Sequence, residues 1–316
     1  MTKLRKLFEK AGGMDTLAQY ARAHMLLYAM AQILLCGFSK KSLEIVRLAV
    51  NNRRLGKLRK KYRKSIAAWQ RENPEETLAP RQRSNKVWVC WLQGMEQAPP
   101  LVRSCYRSLQ ENLTDREIVL LTQDNYRDYV TFPPHVQQKI DSGIITRTHM
   151  SDLLRLELLC SYGGTWIDAT VLCTGSVPEY MLDSDLFVFQ NLKPGLDGDA
   201  IAISSWFMTG STNHPILLLT KHLLYTYWQK HKNMVDYFLI HDFFQLAIET
   251  YPQLWEQVIP FSNATPHILL LRIFENYDPA LWSAVTAQTP IHKLSYKFPQ
   301  EQLQTPGSYY AHIVSQ

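Results

Sequence analysis

The residues best suited to chemistry lie close together: Asp152, Arg155 and Asp168. Asp152 and Arg155 are three apart, so on a helix they share one face. Leu153, Leu154, Leu156, Leu158 and Leu159 make most of the remaining surface apolar, which marks the helix as buried. A buried Asp and Arg must be paired or hydrogen-bonded. They are therefore either a structural ion pair or the charged part of a ligand site. Gly163-Gly164 stops the helix, and Trp166-Ile167-Asp168 reads as a short strand ending in an acid. Ligands of α/β sheets sit beyond the carboxyl ends of strands. That puts Asp168 at the lip of a site, next to the helix carrying Asp152 and Arg155. Its plainer role is a turn cap.

The surrounding elements must position these groups. Lys86 to Leu92 is a short apolar run rich in strand formers, closed by Gln93-Gly94. Pro99-Pro100 opens a helix to about Asn112. Glu117 to Thr122 is a second strand, with helical patterns at 124–130, 134–141 and 147–161. Leu186 to Phe189 and Ile201 to Met208 read as further strands, and 214–230 and 236–250 as long helices. This alternation predicts an α/β domain with a largely parallel sheet.

The formal charge of +6 is unevenly spread. Residues 1–80 carry 17 Lys and Arg against 6 Asp and Glu, a balance of +11; the rest carries 17 against 22, a balance of −5. The larger part is thus slightly acidic, and nucleic acid is not an expected partner. Five cysteines without CxxC spacing argue against a disulfide framework and for a reducing compartment. Residues 14–50 read as helical, with Leu17, Tyr20, Leu27, Ala31 and Leu34 near one stripe, and residues 51–64 are dominated by cations. The apolar run Met25 to Phe38 is too short for a span of about 20 residues. The segment is either a solvated helix beside the main domain or a basic, apolar surface for anionic lipid, at about 1 kcal/mol per cation. Asn73 to Pro80 reads as a linker, giving a helical segment 1–80 and a domain 81–316.

Ser-Asp-x-x-Arg followed by Tyr-Gly-Gly and aromatic-Ile-Asp resembles the sugar-binding region of glycosyltransferases with a DXD motif, among them a yeast mannosyltransferase group and the clostridial glucosylating toxins. Tyr162-Gly-Gly-Thr-Trp-Ile-Asp-Ala-Thr170 is more specifically similar to bacterial capsular polysaccharide synthesis proteins, a likeness that weakly extends to Pro290-Ile-His-Lys-Leu-Ser-Tyr-Lys297. The resemblance implies a Rossmann-like GT-A fold and a retaining transfer from a nucleotide-sugar donor, a UDP-sugar by family habit, to a glycan or lipid-linked acceptor. The basic N-terminal segment would hold such an enzyme at the inner, cytoplasmic face of the membrane. Asp152 would hold sugar or ribose hydroxyls, Arg155 would lie near sugar and diphosphate, and Asp168 would be the first DXD acid. Trp91 would stack on the base, with Gln93, Gly163, Gly164, Trp166 and Thr170 completing the donor surface.

One position departs from this pattern. The second DXD acid, the usual ligand of Mn²⁺ or Mg²⁺, is Thr170. His292 could complete the metal shell with Asp168, or Lys293 and Lys297 could neutralise the diphosphate directly; all three could equally be ordinary surface residues. Asp236 and His241 are acceptor-side candidates, Asp242 reads as a helix-start acid, and Trp206 to Gly210 could present backbone to the sugar. Thr170 keeps open a non-catalytic scaffold on a degenerate transferase fold. GxGxxG, Walker, HExxH and GxSxG motifs do not occur.

Overall fold

The computed structural model describes residues 13–75, 78, 79, 81–192 and 201–316. Three helices come first: α1 (Gly13–Arg22), α2 (Leu26–Cys36) and α3 (Lys40–Glu72). The expected continuous helix is broken where Gly37 takes φ 83° and Ser39 caps α3 by accepting from the Ser42 amide. The chain continues through β1 (Lys86–Cys90), α4 (Pro100–Asn112), β2 (Glu117–Leu121), α5 (Pro134–Asp141), α6 (Arg147–Tyr162), β3 (Gly164–Ile167) and β4 (Val171–Cys173). Then come β5 (Leu186–Gln190), β6 (Ile203–Gly210), α7 (Pro215–Lys230), α8 (Leu239–Thr250), α9 (Pro279–Thr286), β7 (Ile291–Lys293) and α10 (Tyr309–Ser315), with single-turn helices between them.

The main sheet has the order β2-β1-β3-β6-β5. β1 runs parallel to β2 and β3, whereas β6 is antiparallel to both β3 and β5. The sheet is thus mixed rather than largely parallel: a continuous apolar run marks a buried strand but carries no sign of its direction. A second, two-stranded antiparallel sheet pairs β4 with β7, setting Val171 opposite Lys293 and Leu172 opposite His292.

Both faces of the main sheet are covered, as expected for α/β layers. Trp88, Trp166, Val188 and Met208 pack on one side with α6, α7 and α8. Val87, Ile167, Phe187 and Phe207 pack on the other with Val102 and Leu109 of α4. Leu55, Leu58 and Tyr62 of α3 belong to the first of these cores. Buried Arg54 reinforces the joint: its Nε donates to Asp242 Oδ2 at 2.8 Å, its Nη1 lies 2.9 Å from Asp236 Oδ2 and donates to Asn51 at 2.9 Å.

The glycine pair is structural. Gly163 ends α6 at φ 69°, its carbonyl accepting from the Trp88 indole at 2.9 Å. Gly164 opens β3 at φ 94°, and a Cβ there would stand 2.3 Å from the Lys86 carbonyl oxygen. This packing consumes Gly164 at the far end of β3 from Asp168, roughly 13 Å away at strand rise, and Gly163 one residue further back. Both glycines thus serve packing at the opposite end of the strand from Asp168.

Candidate active site

Asp168 directly follows β3, and Trp91 directly follows the parallel neighbour β1, so both lie at the carboxyl edge of the sheet. The Asp168 amide continues the ladder by donating to the Trp206 carbonyl at 2.8 Å. The backbone at Trp206 is thereby used, and β6 is buried throughout, so residues 206–210 do not present free backbone to a ligand.

Arg155 joins the two acids. Its Nη1 donates to Asp152 Oδ1 at 2.6 Å and its Nη2 to Asp168 Oδ1 at 3.3 Å, while its guanidinium lies 5.0 Å from the centre of the Trp166 ring. Trp166 is buried and donates its indole N–H to Asp168 Oδ1 at 3.0 Å. It is a support beneath the acid, not the ligand contact expected from its place in the motif. Asp168 is the most open of the three charged groups, its side chain 29% exposed against 11% for Asp152 and 4% for Arg155. Any ligand therefore meets Asp168 first.

Behind Asp152 the chain of partners goes deeper. The Trp228 indole, which can only donate, gives its N–H to His149 Nε2 at 2.9 Å. His149 Nδ1 must then carry the proton and donate to Asp152 Oδ2 at 3.2 Å. Burial alone would raise the Asp152 carboxyl, but Arg155 and the His149 hydrogen bond outweigh it and hold the group below the ordinary carboxylate range. Asp152 thus stays ionised at neutral pH.

The second sheet brings in a cation from far along the chain. Lys293 Nζ lies 3.3 Å from Asp168 Oδ2 and also donates to the Thr170 hydroxyl. Successive strand residues point to opposite faces, so His292 turns away. It is fully buried and bonds Thr174 Oγ1 through Nε2 at 3.0 Å, and burial pushes its pKa down to about 4. This corrects its expected role as a ligand beside Asp168.

The donor set can be weighed against Mn²⁺ or Mg²⁺. Such an ion wants several oxygen ligands with carboxylates among them. Asp168 is the sole carboxylate here that is partly open, and it already receives Arg155, Trp166 and Lys293; position 170 offers only a hydroxyl, itself engaged by Lys293. Unit charges 4 Å apart repel by about 4 kcal/mol at an effective dielectric of 20, and a divalent ion beside Lys293 would meet about twice that. Among the described residues no group of three or more His, Cys, Asp or Glu side chains could hold a metal. The residues present do not fit a divalent metal.

An aromatic rim overlooks the cluster. Trp91 is partly buried and meets Tyr296 edge-on at 5.2 Å. Exposed Lys297 lies 5.7 Å from the Tyr296 ring centre. Tyr237 is half exposed, and its hydroxyl pKa is raised by burial and then by the charges of Asp152 and Asp168. Tyr237 and Tyr296 were missed in the sequence; exposed aromatics in loops flanking the motif strands would have been their signal. Gln93 is exposed in the turn after Trp91.

The two acceptor-side candidates separate. Asp236 is buried in the Arg54 ion pair, its other oxygen accepting from the Phe238 amide at 2.8 Å. The structure thus ties Asp236 to Arg54 and the Phe238 amide rather than to the acceptor side. His241 lies within the field of Asp152 and Arg155, and burial lowers its pKa to about 4. It lines a cavity of about 170 Å³ with Asn51, Asn191, Ser204 and Asn263. Asp242 is wholly buried against Arg54.

The chain shares 27% identity over 158 residues with the O-glycosyltransferase PaGT of Phomopsis amygdali, covering 44% of this chain and 37% of that one. It shares 32% over 113 residues with the O-glycosyltransferase braB of Annulohypoxylon truncatum, covering 33% and 26%. It thus spans about a third of the length of these relatives. Among solved structures, the PaToxG glycosyltransferase aligns with 85% of this chain and 98% of its own, at 13% identity and a TM-score of 0.38. Residues 37–313 match the family described as capsular polysaccharide synthesis protein, and the chain belongs to that family.

Proposed function

We propose that this protein is a glycosyltransferase that moves a sugar from a nucleoside-diphosphate donor to a hydroxyl of a glycan or lipid-linked glycan in surface polysaccharide assembly. The observation that carries this reading is the cluster Asp152–Arg155–Asp168–Lys293 at the carboxyl edge of the sheet, beneath Trp91, Tyr237 and Tyr296. Carboxylates orient sugar hydroxyls, cations neutralise a leaving diphosphate, and an aromatic beside them can stack on a base. The relatives named O-glycosyltransferases support the same reading.

In the transfer, the bond from sugar C1 to the diphosphate oxygen breaks and its electron pair stays on that oxygen. The acceptor hydroxyl oxygen bonds to C1, and its proton passes to the departing phosphate. Retention at C1 is the expected stereochemistry and uridine the expected base. The test offers the purified protein UDP- and GDP-sugars and reads released nucleoside diphosphate. Turnover with one donor supports the reading. A folded protein giving no donor-dependent response with any of them overturns it and favours the scaffold alternative.

The N-terminal helices suit a peripheral place on the inner membrane face. No described helix is long and apolar enough to cross a membrane. Met25, just before α2, and Ala29 on it pack against Val46 and Val50, while Leu27 and Leu34 are each 84% exposed, beside exposed Leu35 and Met30. Exposed Lys40 and Lys41 adjoin this face. Apolar side chains rimmed by cations fit an anionic lipid surface. Flotation with phosphatidylserine vesicles should bring the protein up and lose it on Leu34→Asp with Leu35→Asp; equal flotation of that variant would overturn the assignment.

A further inference from the structure

We propose that Lys293 stands in for the divalent metal, so that this protein grips and neutralises the diphosphate of its donor without one. The inference rests on the glycosyltransferase reading above and concerns how that site manages charge.

Three observations carry it. First, the register of β4 with β7 sets Lys293 opposite Val171, and the Leu294 amide donates to the Thr170 carbonyl at 2.9 Å. The backbone therefore fixes where Lys293 begins. Second, its ammonium occupies the space between Asp168 and Thr170, touching both. That is the space in which paired acids at 168 and 170 would hold a cation, and a cation already fills it. Third, an ammonium has three N–H donors. Asp168 Oδ2 and the Thr170 hydroxyl use two, which leaves one for a phosphate oxygen.

Thr170 and Lys293 explain each other. An acid at 170 would call for a metal; a hydroxyl there accepts from the ammonium and adds no charge. By formal charge, Asp152 and Asp168 balance Arg155 and Lys293, so the four side chains sum to zero. A metal would make the cluster strongly positive and press on Lys293. A diphosphate instead draws Lys293 partly off Asp168, whose carboxylate is then free to accept from hydroxyls of the same donor. Lys297 at the rim adds a second, exposed cation for the outer phosphate oxygens.

The experiment measures binding and turnover separately. Uridine diphosphate, guanosine diphosphate and inorganic pyrophosphate are titrated calorimetrically into the full chain in EDTA, and again with Mn²⁺ or Mg²⁺. The same titrations are run on Lys293→Met and Lys293→Arg, with thermal melting as the control for folding. Binding in EDTA that changes little on adding metal, weakens roughly tenfold or more in Lys293→Met, and returns in Lys293→Arg supports the proposal; tenfold is the scale of one charge-assisted hydrogen bond. Release of nucleoside diphosphate from the donor should likewise persist in EDTA.

Binding that appears only with metal overturns the proposal and leaves the glycosyltransferase reading standing. Binding in EDTA that Lys293→Met does not weaken also overturns it. A folded protein that binds none of the three, with or without metal, removes the donor reading and the proposal together.

Discussion

Replacing Arg54 by Met should cost the protein a large part of its stability. The guanidinium bridges two acids on the far side of α3: Nε and Nη2 hold Asp242 at 2.8 and 3.1 Å, and Nη1 lies 2.9 Å from Asp236. All three side chains are less than a tenth exposed. Methionine keeps the volume of the stem but leaves two buried carboxylates with no counter-ion. Breaking such a pair costs about 3–5 kcal/mol, against a typical total of about 5–15 kcal/mol. For a chain of this size the melting temperature should drop by roughly 10 °C. The pH dependence gives a second signature. Burial already pushes the Asp242 carboxyl up to about 6, above its ordinary 3.8, with Arg54 pulling the other way. An acid whose folded pKa is raised binds protons more tightly when folded, so its share of stability falls as pH rises through 3.8 to 6. Without Arg54 that pKa moves higher still, and the penalty is relieved by protonation. The deficit of Arg54→Met should therefore be large at pH 7.5 and smaller at pH 5.5. Urea denaturation followed by tryptophan fluorescence measures both. A deficit under about 1 kcal/mol, the scale of a surface pair, or one that widens on acidification, would refute this account of the joint.

Asp168→Asn keeps the shape of the side chain but removes the charge that Arg155 and Lys293 share, and Arg155 retains Asp152, so melting should fall modestly while transfer falls by a factor of roughly a hundred or more; wild-type turnover in the folded variant would remove Asp168 from the site. Gly164→Ala should lose soluble protein or melt far lower, because it adds strain at φ 94° to a 2.3 Å clash with the Lys86 carbonyl; an unchanged melting curve counts against that packing. Tyr237→Ala should raise the donor or acceptor KM several-fold with less effect on kcat, since the ring is an exposed wall and not a charged group; equal losses in kcat and kcat/KM would place it at the reacting atoms instead.

How far the sequence could be read depended on how local each relation is. Asp152 and Arg155 are one helical turn apart, and their pairing followed from spacing and from the leucines around them. The Gly163-Gly164 stop was equally legible, but the sequence did not say that a neighbouring strand's carbonyl fills the space above Gly164. Long-range relations were out of reach. Asp236 looked like a free acid because its partner, Arg54, lies far back in the chain on α3. His292 and Lys293 are adjacent in the chain, and only the register with β4 decides that the lysine faces Asp168 while the histidine turns into the core. The antiparallel course of β6 was hidden for the same reason: its burial pattern is that of any central strand. Tyr237 and Tyr296 escaped because single exposed aromatics carry no periodic signal.

The hydrogen-bond chain that begins at Trp228 offers a handle for engineering. An indole cannot accept, so the order indole, imidazole, carboxylate admits one arrangement of protons and no mirror image of it. Trp228→Phe would remove no atom from the ligand-facing surface. It would free His149 to take its other tautomer, and Asp152 would lose a donor whose direction is otherwise locked. Specificity could thus be retuned from inside the protein, by changing how firmly a carboxylate is aimed while the wall of the cleft stays as it is.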